Sequence, residues 1–234
     1  MRQKDSHVFI DCGPLGLAGR GGHGHNDALS FEAWLDGAPL IIDRGSFVYT
    51  ASFDQRNEFR STFSHNTPCV DREEMNRFDP ENLWNMQNDA QAECMMWRSD
   101  PREDLFVGMH HGYRRLGVDV ERQIRLEKES GILEIVDAID GQGPHEVTIP
   151  FQLASGVSAE RRGAEVRLHS AERVFSVAGQ GDGWTLAIEP SSISPSYGVV
   201  QPSHRLVWKR SGLLPARLHV VIKPESEIDP ACGH

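Results

Sequence analysis

The side chains best able to do chemistry crowd into one stretch, Gly21 to Asp71. It opens with Gly21-Gly22-His23-Gly24-His25-Asn26-Asp27 and ends with Arg56-Asn57-Glu58-Phe59-Arg60-Ser61-Thr62 and His65-Asn66-Thr67, with Asp43 between. Two imidazoles and a carboxylate, His25, His65 and Asp43, suit zinc with one coordination position left to water or substrate. No local ligand rule demands their spacing, because 18 residues separate His25 from Asp43 and 22 separate Asp43 from His65. The competing interpretation is a set of polar loop residues that fastens a hairpin to its neighbours. Glycines beside His23 and His25 let the backbone take unusual dihedrals and approach a ligand closely. The other histidines look different. His145, His169, His204 and His219 stand singly, as hydrogen-bonded structural residues do, and adjacent His110 and His111 point to opposite faces of a strand, so no shared metal is expected there.

Strands must position these groups. Leu29 to Leu35 reads as one strand, Asp36-Gly37 as its turn, and Pro39-Leu40-Ile41-Ile42-Asp43 as the returning partner, which brings Asp43 back towards the level of His25. From Val118 to Glu127 the even positions are Val, Val, Arg, Ile and Leu and the odd ones are polar or charged, the period of a half-buried antiparallel strand. Arg122 interrupts the apolar face and therefore needs a buried acidic or carbonyl partner. A second strand, Ile132 to Ala138, follows a Gly131 turn. The same alternation recurs from Ala90 to Trp97. Short apolar runs appear at Val147–Leu153, Val166–Leu168, Val174–Val177, Trp184–Ile188 and Leu218–Ile222, separated by Gly, Pro and Asp clusters. Many short strands with such turns predict an all-β, large antiparallel β-sandwich of two sheets, with no helix longer than about two turns. The expected organisation is a disordered or vector-derived tail over 1–6, one β domain over 7–224, and a flexible tail over 225–234.

The chain has 234 residues, 38% of them hydrophobic and 25% charged, a composition too apolar for disorder and without a run long enough to span a bilayer. A net charge of −10 argues against a general nucleic-acid binder, whose footprint is basic. Arginine outnumbers lysine 20 to four. That bias suits planar recognition of carboxylate or sulfate, and equally reflects codon usage. Arg44, Arg56, Arg60 and Arg72 lie in the His-rich region and offer a local positive groove. The start, Met1-Arg2-Gln3-Lys4-Asp5-Ser6, lacks the apolar core of a signal peptide, which fits either a cytoplasmic protein or a piece of a longer chain. Cys12, Cys69, Cys94 and Cys232 show no CxxC spacing and read as free, mostly buried thiols.

The blocks Gly22-His23-Gly24-His25-Asn26-Asp27-Ala28-Leu29-Ser30-Phe31, Pro39-Leu40-Ile41-Ile42-Asp43-Arg44-Gly45, Arg60-Ser61-Thr62 and His65-Asn66-Thr67 together resemble the heparinase II/III family of polysaccharide lyases. His110-His111-Gly112-Tyr113-Arg114-Arg115-Leu116 and Arg122 resemble the downstream part of the same domain, so the similarity runs from about His7 to Lys223. In that family this region is a C-terminal β-sandwich that works with an N-terminal α/α toroid. The resemblance implies that His25, Asp43 and His65 hold a mainly structural zinc ion. It implies that His23 projects into the cleft as a catalytic or carboxylate-neutralising group. A ring fixed by a metal and a rigid loop between the two histidines make that division of roles reasonable. Arg60 transfers as a substrate clamp or as a buried structural ion pair, and Tyr49 as a substrate-binding residue or a loop anchor.

Such enzymes cleave uronate-containing chains by β-elimination. The C5 proton is removed while the O4 glycosidic bond breaks, and the uronate carboxylate must be neutralised for that proton to become acidic. The family's tyrosine acid/base lies on the toroid, which no segment here can form. The expectation is therefore a C-terminal module of a longer lyase, nearly inactive alone, with an acidic polysaccharide and the toroid as partners and neither nucleic acid nor membrane. Two alternatives stand beside it: a carbohydrate-binding or structural β module without chemistry, and a metal-dependent hydrolase for which Asp27, otherwise a turn cap, is the nearby base.

Overall fold

The structure, a computed structural model, describes residues 1–16, 22–82 and 84–225. A four-stranded sheet takes β1 (Arg2–Gln3), β2 (Ser6–Ile10), β3 (Phe31–Leu35) and β4 (Ala38–Ile41) in chain order. The helix α1 (Phe53–Arg60) and β5 (Cys69–Val70) follow. A meander of β6 (Glu93–Ser99), β7 (Glu103–His110), β8 (Asp119–Glu127) and β9 (Leu133–Asp140) comes next. β10 (Pro144–Gln152) leaves that layer, and β11 (Ser158–Arg162), β12 (Glu165–Ser170) and β13 (Arg173–Gln180) return to it. A long hairpin, β14 (Thr185–Ser196) and β15 (Val199–Leu213), precedes β16 (Ala216–Pro224).

The result is an all-β sandwich. One layer is an eight-stranded antiparallel sheet ordered β11-β12-β13-β16-β9-β8-β7-β6. Facing it are the β1–β4 sheet and a second four-stranded sheet, β14-β15-β10-β5. These two smaller sheets join where Ile42 N–H donates to Gln152 O and Ala154 N–H to Leu40 O, at 3.0 and 3.1 Å. The inward residues of all three sheets form one apolar core, with Phe31, Phe151 and Trp208 among its largest members. The layers meet closely where β13 crosses β15: a Cβ on Gly179 would lie 2.3 Å from Trp208 Nε1, so no larger residue fits.

Strand β8 follows the predicted alternation, with Val120, Ile124 and Leu126 inside. Arg122 also points inward and is fully buried. Its guanidinium forks onto Asp137, directly opposite on β9, with Nε–Oδ1 at 2.7 Å and Nη2–Oδ2 at 2.9 Å. Nη1 donates to Leu29 O at 2.9 Å and to Asn66 O. The required partner is thus both acidic and carbonyl.

Four expectations change. Residues 1–6 are not a loose tail, since Arg2–Gln3 pairs with Ser6–His7. Glu225 is pinned by Arg167 at 2.8 Å and by a backbone bond to Val174, while 226–234 lie outside the described residues. The strand read from Ala90 to Trp97 lies at the outer edge of the large sheet and is exposed on both faces, because no layer covers it and a bulge at Cys94–Met96 breaks its register. Of the described cysteines, all free, only Cys69 is buried, and Cys94 is exposed.

Candidate metal centre and cleft

The loop from Gly22 to Ser30 and the segment from Ser61 to Thr67 meet over the first small sheet, and asparagines fasten them. Asn26 sits between His25 and Asp27. Its Nδ2 donates to Glu74 Oε2 at 2.6 Å and to Asn76 O at 2.9 Å, and its Oδ1 accepts from Asn76 N–H at 3.1 Å. Asn66 follows His65. Its Nδ2 donates to Phe31 O and Ile42 O, and its Oδ1 accepts from Gln152 N–H at 2.6 Å. Both amides are fully buried and saturated, so each holds the neighbouring histidine in place. Arg122 adds a third fastening, since its two carbonyl acceptors, on Leu29 and Asn66, belong one to each segment.

His25, Asp27 and His65 are thereby gathered so that one ligand atom of each lies within 4.8 Å of the others. His65 is buried; its Nδ1–H donates to Asp43 Oδ2 at 2.7 Å, and its Nε2 has no hydrogen-bond partner. A buried ring nitrogen without a partner is costly unless something takes up its lone pair or proton. A metal ion would do so, with Asp43 as the outer carboxylate that orients the ring. Two nitrogens and an oxygen fit zinc with an open position, so the residues present suit the group.

Of the three clustered side chains, the electrostatics favour the ligating form of His25 alone. Burial, then the neighbouring His65 and Arg56, push His25 down to about 3, which keeps it neutral and able to ligate. Burial pushes the Asp27 carboxyl up to about 6, against the pull of His65. Burial also works against the charge on Asp43, but the His65 ring and its hydrogen bond outweigh it and hold that carboxyl below the usual range. For His65, burial opposes the proton, and Asp43 restores it and raises the ring above its ordinary value.

Asp27, read as a turn cap, therefore belongs to the cluster, and Asp43 reaches it through His65. The available signal for Asp27 was its place in the same short loop, two residues after His25. Arg56, missed as a contact, donates from Nη1 to His25 Nε2 at 2.7 Å and stacks its guanidinium 4.7 Å over the Tyr49 ring.

His23 is exposed, in contrast, and lines a cleft of about 320 Å³ with Asp11, His25, Asp27, Asp43 and Ser46. Its ring stands edge-on to Tyr49 and to Trp84, both at 5.2 Å between centroids. Tyr49 is half-buried and touches the His23 ring, but neither it nor Arg60 lines the cleft. Arg60 is fully buried, lies 3.9 Å over Phe78, and donates to Asn57 Oδ1, Asp79 O and Asn82 O. Arg44 is also buried, on Glu58, Ser64 and Ser192, and exposed Arg72 pairs with Glu146. The expected positive groove is absent among the described residues, because these arginines point inward or are neutralised. His145 and His219 hold Asp71 and Glu134, as structural histidines do.

Comparison with known proteins matches residues 1–228 to the family described as heparinase II/III-like, C-terminal. A heparin-sulfate lyase of Bacteroides stercoris is 23% identical over 181 residues, which is 75% of this chain and 25% of that protein. A solved heparinase III structure superposes with a TM-score of 0.77 at 20% identity, over 95% of this chain and 33% of that one. The heparan sulfate lyase HepC of Pedobacter heparinus gives 0.76 at 18% identity, over 94% and 33%. The chain thus spans a quarter to a third of the length of these relatives.

Proposed function

Since the chain belongs to the heparinase II/III-like C-terminal domain family, we propose that it forms the metal-organised half of an active site that cleaves a uronate-containing polysaccharide by β-elimination. The single observation that carries this reading is the division of labour within one short loop. His25 and Asp27 join His65 in a largely buried donor cluster, while His23, two residues before His25, is exposed, and all three loop residues line one open cleft.

A metal ion held there, read as zinc, would supply fixed positive charge between the His25–Asp27 and His65 segments. Direct ligation falls to His25, Asp27 and His65, and Asp43 acts on the ring of His65. Everything else is done by the chain's own side chains. Arg56 lies against the ring of His25, and Asn26 and Asn66 remove slack from the backbone on either side. His23 is thereby presented on a rigid base to the reacting uronate. In the elimination the C5 proton leaves and the C4–O4 bond breaks, so a donor is needed at the carboxylate and a base at C5. His23 serves one of these needs. The others fall to a helical toroid domain of the kind the family pairs with this sandwich, where its tyrosine acid/base resides.

On this reading the 234-residue chain alone turns over acidic polysaccharide almost undetectably. The test follows the ultraviolet absorbance of unsaturated uronate product for the chain alone and for a protein joining it to a toroid domain. Robust turnover by the chain alone would overturn the half-site reading.

A further inference from the structure

Three aromatic rings beside His23 come from separate parts of the chain and lie nearly parallel. Tyr49 follows the β3–β4 hairpin, Trp84 sits in the loop before β6, and Tyr197 is at the tip of the β14–β15 hairpin. The planes of Trp84 and Tyr197 are inclined to that of Tyr49 by only 16° and 18°, with centroids 6.0 and 6.2 Å away. His23 meets Tyr49 and Trp84 edge-on at one end of this row.

The chain invests structure in the arrangement. Gly198 N–H donates to Phe47 O and Ser194 N–H to Arg44 O, both at 2.8 Å, which ties the hairpin tip to the loop that carries Tyr49. Gly45, at φ +86°, makes that approach possible, because a Cβ there would lie 2.2 Å from Ser194 O. On the other side, buried Arg60 holds Asp79 O and Asn82 O, the stretch that leads to Trp84. Yet the two outer rings bury little, for Trp84 is 47% and Tyr197 64% exposed. Rings held in place but left in water contribute little to the core. A flat apolar face with a polar edge is what a pyranose ring, with its axial C–H bonds, packs against.

We infer that Trp84 and Tyr197, braced by the half-buried Tyr49 between them, offer the exposed faces that seat the sugar rings next to the one at His23. The inference rests on the carbohydrate reading above and deepens it by naming the residues that position the polymer. Binding on the row is by ring stacking, so its contribution survives salt, unlike contacts to carboxylate or sulfate, which are screened.

The experiment titrates the 234-residue chain with a defined heparan-type tetrasaccharide by isothermal calorimetry at 0.1 and 0.5 M salt. Wild type is compared with Trp84→Ala, Tyr197→Ala and Trp84→Phe, and bound metal and thermal unfolding are measured in parallel. The expected result is affinity weaker by about three- to tenfold in each alanine variant, the size of one aromatic stacking contact, at both salt concentrations. Trp84→Phe keeps most of the affinity, and metal content and unfolding are unchanged. Wild-type binding with alanine variants within twofold of it would overturn the row and leave the carbohydrate reading standing. No binding by wild type at millimolar tetrasaccharide would overturn both.

Discussion

Arg122 offers the sharpest test of how the core positions the site. Asp137→Leu leaves its guanidinium fully buried with only two carbonyl partners, and breaking a buried pair in this way costs about 3–5 kcal/mol. Arg122→Met breaks the same pair and also strands Leu29 O and Asn66 O, each worth about 1–3 kcal/mol when left unpaired, so its loss is larger, about 5–11 kcal/mol. The double variant Arg122→Met/Asp137→Leu leaves no unpaired charge. Only the two carbonyls remain unsatisfied, which amounts to about 2–6 kcal/mol. The double loss should therefore fall short of the sum of the single losses by at least about 3 kcal/mol. Guanidinium denaturation followed by circular dichroism measures all three, with Arg122→Lys as a milder member of the series that keeps the charge but not the fork. Arg122→Lys should also lower metal content, because Leu29 and Asn66 carry the two halves of the donor cluster. Additivity within about 0.5 kcal/mol would refute this account of the pair.

Further expectations follow from the same structure. Asp43→Asn should weaken metal affinity by about 10- to 100-fold, the effect of losing an outer-shell partner, whereas Asp27→Asn should abolish stoichiometric binding; equal effects in metal analysis would contradict the roles given to the two carboxylates. Burial, then Arg122 and His111, push His110 down to about 3, so an unfolded chain binds a proton below pH 6.5 that the native state refuses. Stability attributable to His110 is therefore present above that pH and falls by about 1.4 kcal/mol per unit as pH drops from 6.5 towards 3; His110→Gln should flatten this limb in denaturation curves taken between pH 7 and 4. Gly45→Ala should destabilise the domain by more than the about 1–3 kcal/mol of left-handed backbone strain, because its Cβ would also meet Ser194 O, and should lower the thermal midpoint, whereas Gly163→Ala, which meets nothing within 4 Å, should show only the strain of its own φ.

Much of this was legible from residues alone. The period-two runs marked β8 and β9, the Asp36-Gly37 turn marked the β3–β4 hairpin, and Arg122 on an apolar face announced a buried partner. These signals are local, and strands and turns are locally encoded. The edge status of β6 was not, because alternation in Glu93–Ser99 says which faces differ and nothing about whether another layer covers them. The arginines illustrate the same gap. Arg44, Arg56 and Arg60 looked like a groove for anions, but their partners, Ser192, His25 and Asn82, are supplied by distant segments. The role of Asp27 depended on where the His65 ring would arrive, and the aromatic row joins three loops that share no motif. Pairings between distant segments depend on tertiary packing, which periodicity does not report.

The central claim is that His23, carried on a metal-locked loop, takes part in eliminating a uronate. The most direct measurement is turnover of heparan sulfate, by absorbance of the unsaturated product, for a protein that joins this domain to its toroid, with His23 intact and as His23→Ala. The account predicts a loss of about 10²- to 10⁴-fold, the range of a single acid–base group, with bound metal unchanged. Equal turnover by the two proteins, with metal still in place, would contradict it and leave the domain a structural or binding module.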